Sequence, residues 1–283
     1  MKCFYHNDLD GKCAGAIVYK YYVRDRLYLK ENKPVFIPID YKDRFPFESI
    51  GKNELVIIVD FSLQKPGDFE CLLDITEYVI WIDHHKSAIE KHGDLNIPGI
   101  RRDGTAGCEL TWEYFYPADK PVPEPVELIG DYDVWKFKYG DGTRNFVEGI
   151  KLHDHDPASE RWIDLLNYSD EYMEIARDGR IAIKYRDNYY KELIDNISFF
   201  TEFEGYSAVA CNACKVNSML FDSVAGMDFD LMMPFYYDGR VWTVSIYSTK
   251  DIDCAMLAEK HGGGGHKSAA GFQCAELPFR RED

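Results

Sequence analysis

Long apolar runs are missing from this chain. None approaches the ~18–20 consecutive apolar residues needed to cross a bilayer, so a transmembrane protein is not expected. The N-terminal stretch Met1-Lys2-Cys3-Phe4-Tyr5-His6 passes straight into a polar motif and has no signal-peptide layout. Basic charge is scarce as well. Against 49 Asp and Glu stand 33 Lys and Arg, a net charge of −16 over 283 residues. Proteins that grip long nucleic acid carry a basic footprint, because phosphate contacts dominate that affinity. An acidic chain repels polyanions at long range, so a nucleic-acid substrate should be short and held in a local basic pocket. A disulfide framework is also lacking. The eight cysteines are spread singly through apolar segments, apart from Cys211-Asn212-Ala213-Cys214. That distribution suits buried free thiols in a reducing cytoplasm. There is no internal repeat and no low-complexity tract.

What is present suits a globular protein of two domains, with 46% hydrophobic residues. Residues 2–6 read as a short strand, and 11–30 as a helix with an apolar face of Ala14, Ile17, Val18, Tyr21 and Tyr22. Residues 35–39 form a second strand. The runs 55–59 and 78–82 are continuously apolar rather than alternating, as in parallel strands buried on both faces. Helices are expected near 69–76, 107–116 and 124–129, with a proline-marked loop over 117–125. This half reads as a doubly wound, mainly parallel α/β sheet. Residues 159–200 are charged and helical in pattern. Strand signal returns at 207–211, 231–237 and 241–247, with Asp238-Gly239 as a hairpin turn.

Acidic and histidine residues gather where strands end. His6, Asp8 and Asp10 follow the first strand, Asp60 ends the third, and Asp83-His84-His85 ends the fourth. In open parallel sheets ligands bind outside the carboxyl ends of strands, near a switch in strand order. Three groups far apart in sequence would then face one crevice. Carboxylates mixed with imidazoles suit Mn²⁺ or Mg²⁺, and converging carboxylates need cations to neutralise them. Two such ions can support in-line attack of water at phosphorus. Two other constellations have simpler readings: Cys211 and Cys214 lack a second cysteine pair, and His153-Asp154-His155-Asp156 reads as a solvated turn. The abundant Tyr and Phe read as core, with one or two available to stack on a base.

These motifs resemble those of the DHH phosphoesterase superfamily, which includes RecJ-type exonucleases, oligoribonuclease/pAp phosphatases and cyclic-dinucleotide phosphodiesterases. Asp83-His84-His85 matches the motif that names the family. His6-Asn7-Asp8-Leu9-Asp10-Gly11 is similar to its first motif, Val59-Asp60-Phe61 to its second, and Gly130-Asp131-Tyr132-Asp133-Val134-Trp135 to a later one. The run Gly262-Gly263-Gly264-Gly265-His266 with Lys267-Ser268-Ala269-Ala270-Gly271 is similar to the signature of the DHH-associated substrate domain. The resemblance implies one metal ion on His6, Asp8 and Asp60. It implies a second on Asp10, Asp60, His84 and Asp131, with Asp133 as the alternative to Asp131. His85 would face the scissile phosphate and Asp83 would orient a neighbouring histidine. Gly263, Gly264, Gly265 and His266 would bind substrate, with Arg101, Arg102 and the segment 105–107 adding phosphate contacts. In many members three residues separate the first His from the first Asp; here only Asn7 does.

The expected layout is a metal-binding catalytic domain over 1–155, a helical connector over 156–199, and a smaller α/β substrate domain over 200–283. The two domains are expected to close around a cleft. The expected activity is hydrolysis of phosphate esters in short oligonucleotides, pAp-like nucleotides or cyclic dinucleotides. Competing readings are a RecJ-like single-strand exonuclease, a pyrophosphatase or exopolyphosphatase, and a catalytically silent nucleotide-binding protein. Base identity, direction of cleavage and oligomeric state are not legible, a homodimer being one option.

Overall fold

The computed structural model describes residues 1–25 and 34–281. Contacts divide the chain into two compact units, Met1–Ile183 and Lys184–Asp283. The division falls inside a helix, within the segment expected as a connector.

In the first unit, β1 (Lys2–His6) leads into α1 (Leu9–Tyr19), which widens into a π-helical turn over Lys20–Asp25. The rest of the helix expected over 11–30 lies outside the described residues. Then come β2 (Val35–Ile39), β3 (Val56–Val59), α2 (Asp68–Ile75), β4 (Val79–Ile82), α3 (Lys86–His92), α4 (Gly107–Phe115), α5 (Glu124–Asp133), α6 (Asp141–Ile150), α7 (Glu160–Leu165) and α8 (Glu171–Ile197). The four strands are parallel and run in the order β2-β1-β3-β4.

The continuous apolarity of β3 is explained by its surroundings. Its residues alternate between two cores: Ile57 and Val59 face Ala14, Ile17 and Trp112, while Val56 and Ile58 face Phe69, Leu72 and Trp81. Period-two alternation sends neighbours to opposite faces, and helices on both faces make every position apolar. Trp162, Leu165 and Ile175 complete the first of these cores, so the beginning of the expected connector is packed into the unit. The strand order reverses at β1: the chain moves out to β2 and returns to β3 on the other side. The carboxyl ends of β1 and β3 therefore flank a switch point, the place where open α/β sheets hold ligands.

The second unit continues with β5 (Phe199–Phe203), β6 (Tyr206–Asn212), β7 (Leu231–Tyr237), β8 (Trp242–Tyr247), α9 (Cys254–Glu259), β9 (Gly264–His266) and β10 (Ala269–Cys274). They form one mixed sheet, β5-β6-β7-β8-β10-β9, in which only β6 and β7 run parallel. One face is covered by Leu257 and Ala258 of α9, the other by Ile194 of α8 and by Leu220 and Phe221. The glycine-rich run is not wholly a loop, because Gly264, Gly265 and His266 form an edge strand on β10. No helix among the described residues is long and apolar enough to cross a membrane.

Candidate metal centre

Asp60 sits at the middle of the site. It follows β3 directly, and its backbone turns into the left-handed region, φ 54°. Aspartate tolerates that conformation better than most residues, and such strain concentrates at functional sites. The side chain is buried, 1% exposed, and neither carboxylate oxygen has a hydrogen bond of good geometry. Around it lie imidazole nitrogens: His84 Nε2 is 3.2 Å from Oδ1 and His6 Nδ1 is 3.8 Å from Oδ2. A buried carboxylate without donors is costly unless a cation compensates it.

Three groups of potential ligands meet here. His6, Asp8 and Asp60 form one, Asp10, His84 and Asp133 another, and Asp60, His84 and His85 a third, with ligand atoms inside each group within 4.8 Å of one another. Such a set of oxygens and nitrogens fits hard or borderline divalent ions. Asp8 serves two ends: Oδ1 accepts from Gly11 N at 2.9 Å and caps α1, while Oδ2 lies 2.7 Å from His6 Nδ1. Gly11 is required for the close turn from β1 into α1, since a Cβ there would lie 2.1 Å from the His6 carbonyl oxygen.

Asp10 is held from across the unit. The N–H groups of Gly107 and Cys108, at the start of α4, donate to Oδ2 and Oδ1 at 2.7 and 2.8 Å. The helix N-terminus thus meets a buried carboxylate, the arrangement its dipole favours. The 105–107 segment expected to contact phosphate spends the N–H of Gly107 on Asp10 instead. A Cβ on Gly107 would lie 2.6 Å from Asp60 Cβ, so only glycine allows α4 to close over the site. This use of Gly107 was missed in the sequence; the signal was a glycine opening an apolar helix.

The later motif needs a correction. The structure brings Asp133, not Asp131, to the cluster: Asp133 Oδ2 lies 3.5 Å from His84 Nε2. Asp131 is committed elsewhere. Its carboxylate accepts from Lys138 N at 2.8 Å, Tyr139 N at 3.3 Å and the Thr143 hydroxyl. Two positions apart on a helix point ~200° apart, so both cannot face one centre.

Charges confirm the crowding. Burial, then the neighbouring Asp10 and Asp8, push the carboxyl of Asp133 up to about 8. Burial followed by Asp10, Asp8 and Asp133 raises Asp60 well above the ordinary carboxylate range. Burial lowers His84, favouring the neutral imidazole that can act as a ligand. For His85 burial opposes the charged form, but the hydrogen bond and charge of Asp83 outweigh it and hold the pKa above the ordinary value. Asp83 Oδ1 lies 2.7 Å from His85 Nδ1 and also accepts from the His84 and His85 N–H groups.

The expected arginines have partners of their own. Arg101 donates to the Trp81 carbonyl at 3.0 Å and lies over the Trp81 ring, and Arg102 forms a two-pronged pair with Glu113. His153 pairs with Asp178 at 3.0 Å, and the His155 ring bonds the His153 carbonyl at 2.8 Å. Cys211 is buried in β6 while Cys214 is exposed, and all eight cysteines are free. In the second unit His266 is exposed, and Lys267 pairs with Asp251 at 2.6 Å.

Comparison with known proteins agrees with this architecture. Residues 3–130 match the family model "DHH family, N-terminal domain". An uncharacterised protein of Acanthamoeba polyphaga mimivirus is 28% identical over 99% of this chain and 69% of its own length. The pGpG-specific phosphodiesterase PggH from Vibrio cholerae has a similar fold, with a TM-score of 0.59 at 12% identity, covering 97% of this chain and 93% of that one. RecJ from Thermus thermophilus in complex with Mn²⁺ gives a TM-score of 0.51 at 15% identity over 96% of this chain and 49% of RecJ. With its motifs at the ends of β1, β3 and β4, the stretch 3–130 of this chain matches the N-terminal domain of the DHH family.

Proposed function

We propose that this protein is a divalent-metal-dependent hydrolase of phosphoric esters, acting on small nucleotides or short oligonucleotides. The observation that carries the reading is the buried Asp60 carboxylate, without hydrogen-bond donors and set between two ligand groups. His6, Asp8 and Asp60 would hold one ion, and Asp10, His84 and Asp133 the other, with Asp60 shared. Bound divalent ions, Mn²⁺ or Mg²⁺, supply charge that favours ionisation of a water and neutralises oxygens at phosphorus.

The protein's own residues do the rest. Burial keeps His84 neutral, so its lone pair is available. The Asp83 carboxylate takes the Nδ1–H of His85 and fixes its tautomer, which directs Nε2 to the substrate. The hydrogen bond and charge of Asp83 hold the pKa of His85 above its ordinary value, which favours a proton on the ring that can pass to the leaving oxygen. Gly263, Gly264, Gly265 and His266 are assigned to substrate phosphate: the edge strand Gly264–His266 is paired on one side only and carries an exposed imidazole, while the Gly263 N–H is held by the Ala258 carbonyl at 2.9 Å. The net charge of −16 favours short substrates over long strands. Free cysteines throughout suit a cytoplasmic enzyme. A Mn²⁺-bound RecJ and a pGpG-specific phosphodiesterase among the proteins of similar fold are consistent with this class of reaction.

The test is turnover with Mn²⁺ or Mg²⁺ on di- to pentanucleotides of RNA and DNA, pAp, cyclic dinucleotides, pyrophosphate and long single strands. Short nucleotides should be hydrolysed, and Asp60→Asn/His84→Ala should lose at least about 100-fold, more than outer-sphere changes usually cost. Undiminished turnover by that double variant would sink the reading. Phosphate release from pyrophosphate alone would move the protein to the pyrophosphatase class.

A further inference from the structure

A cleft of about 570 Å³ opens beside the metal centre, between the segment after β2 and the segment joining β3 to α2. That volume falls within the range of small-molecule sites. Its lining is unusual for this acidic chain: the aromatics Tyr41, Phe47 and Phe61 meet the cations Lys42, Arg44 and Lys65. Both segments leave the carboxyl ends of their strands, the same end of the sheet that carries His6 and Asp60.

Tyr41 ties the cleft to the centre. Its ring stacks on Phe61 at 5.0 Å and 26°, and meets the His85 ring edge-on at 5.6 Å and the His6 ring at 5.2 Å. Even so, it remains 39% exposed, so ring surface is left for a ligand. The acids of the lining are occupied by local turns: Asp43 Oδ2 accepts from Asp40 N at 2.9 Å and Asp68 Oδ2 from Lys65 N at 3.2 Å. The cations are freer. Lys42 reaches Asp40 only at 3.9 Å, and among the described residues Arg44 and Lys65 have no ionic partner. Exposed cations in so acidic a protein are expected to find local carboxylates; an aromatic cleft that keeps them unpaired suits a flat, anionic ligand.

We infer that this cleft is the subsite for the nucleoside end of the substrate, its base laid against Tyr41 and Phe47 and a phosphate other than the reacting one held by Arg44 and Lys65. The inference rests on the hydrolase reading for the identity of the neighbouring centre. The substrate class then narrows to nucleotides with at least two phosphates, one at the metals and one at the cations. Base stacking tolerates different bases, so recognition here is of nucleotide rather than sequence.

Calorimetry on the full chain with Mn²⁺, using non-hydrolysable α,β-methylene ADP, tests the subsite without turnover. The double variant Arg44→Gln/Lys65→Gln changes two exposed side chains that touch no ligand residue, so the fold should be retained. The expected result is a Kd raised at least about tenfold, as loss of charged contacts implies. Methylenediphosphonate, the same diphosphate without a nucleoside, should bind the wild type at least about tenfold more weakly. Equal affinity in the double variant, equal affinity for the two probes, or no binding by the wild type would each overturn the subsite. Binding that depends on Arg44 and Lys65 in a protein with no turnover would leave the subsite standing and overturn the hydrolase reading.

Discussion

Asp131 and Asp133 share a helix and a motif, yet their chemistry differs because of what each faces. Asp131 accepts from two backbone N–H groups and the Thr143 hydroxyl, and so holds the turn that follows α5. Asp133 lies among Asp10, Asp60 and His84, where its charge is unwelcome without a cation. The two should therefore fail differently when changed to asparagine. Asp131→Asn should cost about 1–3 kcal/mol through unsatisfied donors, a fall in Tm of about 2–4 °C per kcal/mol, with Mn²⁺ affinity largely kept. Asp133→Asn should weaken Mn²⁺ binding at least about tenfold, as removal of a charged ligand implies, while leaving the chelated protein as stable or more so. Melting curves and Mn²⁺ titrations of both variants decide this; Mn²⁺ loss confined to Asp131→Asn would reverse the assignment.

At the scale of elements, α4 matters more than its distance in sequence from the motifs suggests. Its first N–H groups hold Asp10, and Gly107 allows it to lie against Asp60. Gly107→Ala would drive a methyl into the Asp60 side chain, so the helix start must shift and loosen its grip on Asp10. Overpacking of this kind typically costs about 1–3 kcal/mol, and a displaced ligand set should lower Mn²⁺ affinity at least about tenfold, as at altered outer-sphere positions. A variant with wild-type melting and wild-type Mn²⁺ binding would show that α4 does not position the centre. Periodicity could propose the α4 helix, because its apolar residues recur on one face. It could not reveal that the helix is aimed at Asp10, since that depends on how α4 docks on β3.

At the scale of the whole molecule, the crowded carboxylates couple stability to pH and to metal. A carboxyl whose pKa is raised by folding binds its proton more tightly when folded. The Asp133 contribution is therefore complete below its ordinary value of 3.8 and is lost as pH rises to about 8. Asp60 acts in the same direction. The chelated protein should become less stable across this window from these groups, and the Tm gain on adding saturating Mn²⁺ should be larger near about pH 8 than near about pH 5.5, where protons compete. A gain that falls with rising pH would contradict the arrangement. The sequence by itself determined the parallel sheet of the first unit and the ends of the strands that carry His6, Asp8, Asp10, Asp60 and Asp83-His84-His85. Those follow from apolar runs and from polar residues that end them, both of them local properties. Only the tertiary structure decided that Asp133 rather than Asp131 reaches the centre, that Gly107 closes it, that Arg101 and Arg102 are taken by Trp81 and Glu113, and that Tyr41 borders it. Each depends on which face of one element meets another, and that is settled by packing between segments far apart in the chain rather than by the spacing of residues within one.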